Sequence, residues 1–408
     1  MKQQGIVCEQ PVWRDPRGIA LLLAATLTVM ANATISPALA GLEKMFMHEP
    51  NAALLTRLLV SAPSLTVVIF APLSGLVADR YGRRNLLLAG VCLFIVAGSS
   101  GLFMPSLMSM LMGRLALGVA VAMVMTAQTA LIGDYFTGHQ RGALMGLQTS
   151  ARNFGGLVFI TAAGVMAVTS PRLPFAVYGL ALLYLPFLWR YIVEPGLQKP
   201  KTENVTQVQS DGHPAWAWLI AALAVVQMLT NMMFFLMPTQ LPFFLVARGF
   251  ESASVTGAAL GVLMLSGGTA ALLYGRIKSQ IGYGGAFVLG FGFMALGLFV
   301  LTVQEDYAVF LGGAAVGAGY ALAMPNFSAI ALLIAPAARR GMAGGVLTSS
   351  VFLGQFLSVF VSIPLIAAVG FEETFQIVSI ALTMMAIVAL SSRLWSGVFR
   401  MPKALAGS

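Results

Sequence analysis

Twelve apolar runs, each of about 20 residues or more, follow one another between residues 18 and 397 with short polar turns between most of them. They cover residues 18–41, 53–77, 85–104, 107–133, 141–168, 172–193, 215–246, 254–277, 282–303, 307–334, 341–369 and 372–397. About 20 apolar residues let an α-helix cross a hydrocarbon core roughly 30 Å thick. In lipid, such a helix also satisfies its own backbone N–H and C=O groups. The pattern predicts an all-α membrane protein of twelve transmembrane helices. Charged residues make up 9% of the 408 positions, against about 25% in a soluble domain. That is too little polar surface to cover a globule in water.

The one long polar interruption, residues 194–214, has the composition of a flexible linker. It divides the chain into a six-helix bundle over 1–193 and a second over 215–408. The net charge of +9 does not point to nucleic acid, because the basic residues fall between apolar runs rather than along one face. Seventeen of the 23 Lys and Arg fall on one side of the alternating topology; Lys44, Arg57, Arg172 and Arg248 fall on the other, and Arg114 and Arg152 lie within the membrane. Cytoplasmic loops carry the excess of Lys and Arg, so both termini are expected in the cytoplasm. Cys8 and Cys92 do not form a disulfide framework. Asn204 begins a glycosylation-like triplet, discounted because it falls in a cytoplasmic loop.

The halves are related to each other. Arg141-Gly142-x3-Gly146-x2-Thr149-Ser150-x4-Gly155 recurs as Arg340-Gly341-x3-Gly345-x2-Thr348-Ser349-x4-Gly354, at an offset of 199. Gly113, Gly118 and Ala122 match Gly312, Gly317 and Ala321 at the same offset. Internal repeats of this kind mark transporters whose binding site lies at the bilayer midplane between the repeats.

Between the second and third runs stands Gly75-Leu-Val-Ala-Asp79-Arg80-Tyr-Gly82-Arg83-Arg84. It resembles the signature loop of the major facilitator superfamily. The resemblance implies a secondary transporter working by alternating access. It further implies that Asp79 latches against the start of the eleventh helix, near Gly341, when the inner side is closed. A helix N-terminus stabilises a carboxylate, and Gly75 allows close helix approach. Asp134, ending the fourth helix, is the expected partner of Arg83. Arg114-x3-Gly118-x3-Ala122 resembles a second family motif in which an arginine faces the cavity. The fifth helix keeps only part of the antiporter pattern: Gly146-x8-Gly155 is present, but Phe159-Ile160 replaces Gly-Pro and Ala163-Gly164 replaces Gly-Gly. The run MANATISPALAGL in the first helix looks like the drug-efflux branch.

The expected substrate-binding residues are Arg152, Arg114, Asn32, Asn231, Gln227, Asn326 and Gln355. Arg152 lies eleven residues beyond Arg141, about 16 Å along a helix and so near the bilayer centre. No Asp, Glu or His falls at the midplane. An intramembrane arginine is costly and usually functional, and here it favours an anionic or carboxylate-bearing substrate. The alternative is that Arg152 pairs with Asp134 and never meets substrate. Met232, Met233, Phe234 and Phe235 could form an apolar wall, and Pro37, Pro238, Pro242 and Pro325 could kink their helices. The resulting expectation is a monomeric inner-membrane secondary transporter, proton-linked and without cofactor or metal, not an enzyme. It would export a small amphipathic or anionic compound such as a drug, an antibiotic or a siderophore. The alternative direction is uptake of an organic anion by symport.

Overall fold

The computed structural model describes residues 14–194, 215–250, 252–336 and 339–394. Cys8, Asn204, His213 and nearly all of the linker lie outside them. The helices are α1 (Pro16–Ala33), α2 (Leu39–Met45), α3 (Ala52–Tyr81), α4 (Arg83–Ser99), α5 (Leu107–Tyr135), α6 (Gly138–Thr169) and α7 (Tyr184–Tyr191). After the linker come α8 (Trp216–Phe234), α9 (Leu236–Ala247), α10 (Ala253–Leu301), α11 (Asp306–Ile334), α12 (Arg340–Val369) and α13 (Phe371–Leu394). Among the described residues, eleven helical segments are long and apolar enough to cross a membrane.

That count differs from the twelve runs in the sequence at one place. The runs 254–277 and 282–303 lie in one 49-residue element, α10. A straight helix of that length would reach about 74 Å, more than twice the hydrocarbon thickness. Gly282 interrupts it with φ 71° and ψ −179°, a non-helical conformation that glycine adopts at little steric cost. Two helical arms, 253–281 and 283–301, meet there.

Two other runs are broken by proline. A proline has no N–H for the carbonyl four residues back, and its ring clashes with that carbonyl. Pro37 lies four residues after Ala33, where α1 ends, and Pro238 lies four after Phe234, where α8 ends. The first run becomes α1, a short 3-10 stretch (Ser36–Ala38) and α2; the seventh becomes α8 and α9. The sixth run is a 3-10 stretch, Leu173–Leu183, followed by α7. Pro242 and Pro325 sit inside α9 and α11 without ending them.

Helix α6 and the first arm of α10 pack through small residues. A Cβ added at Gly164 would lie 2.7 Å from the Gly257 Cα, and one added at Gly261 2.7 Å from the Thr161 Oγ1. Helices α3 and α12 meet through Ser64, whose hydroxyl donates to the Gln355 Oε1 at 2.8 Å.

Candidate functional site

A cavity of about 440 Å³ lies among α1, α5, α6, α8, α9, α10, α11 and α12, within the range of small-molecule sites, roughly 300–1,000 Å³. The repeat builds both sides of it. Thr149, Arg152 and Asn153 of α6 line it, as do Thr348, Val351 and Phe352 of α12, their counterparts at the offset of 199. Only the α6 copy carries a charge. Arg152 is the sole charged side chain among the lining residues, and its Nε is buried without a hydrogen-bond partner. Asp134, the alternative partner, forms its ion pair with Arg83 instead.

Of the other expected binding residues, Asn32, Gln227 and Gln355 line the cavity. The Gln355 Oε1 accepts from the Ser64 hydroxyl and, at 3.5 Å, from the Asn32 Nδ2. Its amide N–H groups are thereby turned away from these protein partners. Asn231 and Asn326 do not line the cavity; both are fully buried. The Asn231 Oδ1 accepts from the Tyr320 hydroxyl at 2.8 Å and its Nδ2 donates to the Gln227 carbonyl at 2.9 Å. The Asn326 Oδ1 accepts from the Tyr274 hydroxyl at 2.7 Å. A buried amide in a helix bundle is as useful for fixing a neighbour as for touching a ligand.

Arg114 is a correction of the same kind. It is 1% exposed and outside the cavity lining. Its guanidinium donates to the Leu59 carbonyl at 2.6 Å, the Tyr178 hydroxyl at 2.7 Å and the Ala31 carbonyl. The face it shares with Gly118 and Ala122 is a helix contact: a Cβ at Gly118 would run into Thr66 and Pro63 of α3. Ala31 lies in the last turn of α1, where helix carbonyls have no intrahelical partner. Arg114→Gln is therefore expected to act on the fold, lowering stability by about 3 kcal/mol through lost charged hydrogen bonds. Thermal unfolding in detergent checks this.

At the end of the molecule carrying the 75–84 loop, the basic end, α3 and α12 stand apart. An added Cβ at Gly75, Gly341, Gly344 or Gly345 would meet nothing within 4 Å, and Leu76, Met342 and Val346 are exposed. Asp79 and Arg80 are exposed as well. Gly82 takes φ 93°, with the Glu194 carboxylate against it. That carboxylate accepts from the backbone N–H groups of Arg83 and Arg84, each at 2.8 Å, and so caps α4. The Arg84 side chain donates to the carbonyls of Ile192 and Trp189. Glu194 carries no signal in a sequence read alone, since it stands at the edge of a polar linker.

The opposite end is closed. The Arg57 Nη1 donates to the Glu43 carboxylate at 2.7 Å and its Nε to the Gln240 Oε1 at 3.1 Å. The Gln240 Nε2 donates to the Ser362 hydroxyl at 2.8 Å, and the Arg57 guanidinium lies 3.6 Å from the centre of the Phe243 ring. This cluster ties α2 and α3 to α9 and α12 just beyond the cavity. Removing the Arg57 side chain costs about 2 kcal/mol of this closed arrangement, about a 30-fold shift in populations. Arg57→Ala is expected to raise thiol labelling of a Phe235→Cys probe from the far side by a comparable factor.

A cavity closed at one end and lined on both sides by repeat copies has the geometry of a small-molecule site. The chain belongs to the Major Facilitator Superfamily, whose sequence profile matches residues 21–303, and it is a multi-pass membrane protein. It is 28% identical over 152 residues to the quinolone resistance protein NorA of Staphylococcus aureus, covering 37% of this chain and 39% of that one. It is 23% identical over 222 residues to the 3-(3-hydroxy-phenyl)propionate transporter of Escherichia coli, covering 54% of this chain and 55% of that one. The matched stretches thus span about half or less of those relatives. The fold is similar to that of a D-xylose-proton symporter, with a TM-score of 0.76 and 19% identity, over 92% of this chain and 96% of that one.

Proposed function

We propose that the chain is a secondary active carrier for a small organic anion, working by alternating access, and that Arg152 is the group that meets the anion. The observation that carries this reading is Arg152 itself, among the described residues the one charged side chain on the cavity wall, with its Nε unpartnered. Its Nε has no protein partner, and an entering carboxylate supplies one by charge-assisted hydrogen bonds. In this reading α10 counts as two helices hinged at Gly282. That gives twelve, in bundles over 1–193 and 215–408 joined by 194–214, with both termini and the basic end in the cytoplasm.

The arrangement described is then the inward-facing one. When the carrier turns outward, Asp79 and Gly75 close onto the start of α12, with Arg80, Gly82, Arg83, Arg84 and Asp134 holding the loop in shape. Uptake with protons is the direction we favour. An anion entering an inside-negative cell works against about 2.3 kcal/mol per 100 mV, and each co-transported proton cancels one such charge. The incomplete antiporter pattern in the fifth helix supports this direction. The similarity to a quinolone resistance protein supports the second reading, export; for an anion, the same potential would drive export without any proton.

Mass spectrometry of cells and medium separates the two. Cells overproducing the protein should accumulate an organic anion from the medium, and an uncoupler should abolish the accumulation. Enrichment of a compound in the medium instead would reverse the direction.

A further inference from the structure

Resting on the organic-anion reading, we infer that the substrate is a monoanionic aryl carboxylate, whose ring is received by the aromatic wall around Phe234 and Tyr320 and whose carboxylate is received by Arg152. Phe234 and Tyr320 both line the cavity, stacked with ring centroids 3.8 Å apart and planes 17° apart. The pair is held rigid from behind. The Tyr320 hydroxyl donates to the Asn231 Oδ1, and Asn231 is itself fixed by the Gln227 carbonyl. The buried amide at 231 thereby serves the cavity without touching it. Phe235 and Phe352 extend the aromatic surface, and Met264 and Met324 add thioethers that favour ring edges. Arg152 and Tyr320 line the same cavity, so the charge and the aromatic wall face one space.

The count of charges limits the anion. One guanidinium neutralises one carboxylate, whereas a dianion would leave a bare charge in a low-dielectric site. The Gln355 oxygen is already occupied by Ser64 and Asn32. The Gln355 N–H groups remain as donors, which suit a carboxylate oxygen.

The test is calorimetric titration of the purified full chain with four probes: 3-phenylpropionate, 3-cyclohexylpropionate, 3-phenylpropionamide and phenylsuccinate. 3-Phenylpropionate should bind about fivefold or more tightly than its cyclohexyl analogue, as aromatic pairing implies. The amide and the dianion should bind at least about tenfold more weakly. Phe234→Leu should bring the phenyl and cyclohexyl acids within about twofold while keeping the preference for acid over amide. Equal binding of the phenyl and cyclohexyl acids by the unaltered protein overturns the aryl inference and leaves the anion reading standing. Binding of the amide as tightly as the acid, or no binding of any acid, overturns both. Phenylsuccinate binding as tightly as 3-phenylpropionate overturns the limit to a monoanion.

Discussion

Arg152→Gln is expected to reduce transport of an organic anion by about 30-fold or more, with the protein still folded and inserted. Truncating one side of a charge pair costs about 2–5 kcal/mol, and among the described residues the cavity lining has no second cation to take over. The side chain makes no structural ion pair among the described residues, so its loss leaves no protein carboxylate stranded. Because its Nε has no protein partner to lose, the substitution should leave thermal stability without ligand essentially unchanged. Arg152→Lys should restore part of the transport, because a lysine supplies the charge without the planar fork. Transport rate and melting temperature, measured on the same preparations, separate this role from that of Arg114. Loss at Arg114 should lower the melting temperature; loss at Arg152 should lower only the transport.

The second large effect is expected at Gly164. A Cβ there would lie 2.7 Å from the Gly257 Cα and 3.2 Å from the Ala253 carbonyl oxygen. Neither neighbour is a flexible side-chain end, so the α6 and α10 backbones would have to separate. Overpacking of this kind costs about 1–3 kcal/mol. That cost falls on the arrangement with the far end closed and is relieved when the two helices part. Gly164→Leu is therefore expected to shift the population toward the outward-facing state by roughly 5- to 150-fold. Transport should fall with it, while ligand remains able to bind from the far side. Gly257→Leu should act in the same way, since its Cβ would meet the Gly164 Cα at 2.7 Å. Thiol accessibility of a cysteine placed at Phe235 reports the shift, and should rise in both variants.

Much of this architecture is legible in the sequence because lipid allows so few alternatives. Run length gives the helices, and the offset of 199 correctly pairs Thr149 with Thr348 and Arg152 with Val351 on the cavity wall. The helix breaks at Ala33 and Phe234 follow from prolines four residues on. What the sequence does not carry is rotation about each helix axis. Arg114 and Arg152 look alike as intramembrane arginines, yet one is consumed by the carbonyls of Ala31 and Leu59 and the Tyr178 hydroxyl while the other faces the cavity. The amides divide in the same way: Asn231 and Asn326 hold tyrosines, whereas Asn32, Gln227 and Gln355 reach the cavity. An apolar run looks alike whichever face is turned inward, so only the packed partners separate the two. The Arg57–Glu43–Gln240–Ser362 chain is likewise hidden in a sequence, where Arg57 counts only as a topology signal. Its four members come from four helices brought together by the fold.

The most direct test is uptake of radiolabelled 3-phenylpropionate into proteoliposomes under an inward proton gradient, comparing the unaltered protein with Arg152→Gln at equal incorporation. Gradient-dependent uptake by the unaltered protein, falling by about 30-fold or more in the variant, is the predicted result. Equal uptake by the two proteins would contradict it and return Arg152 to a structural role.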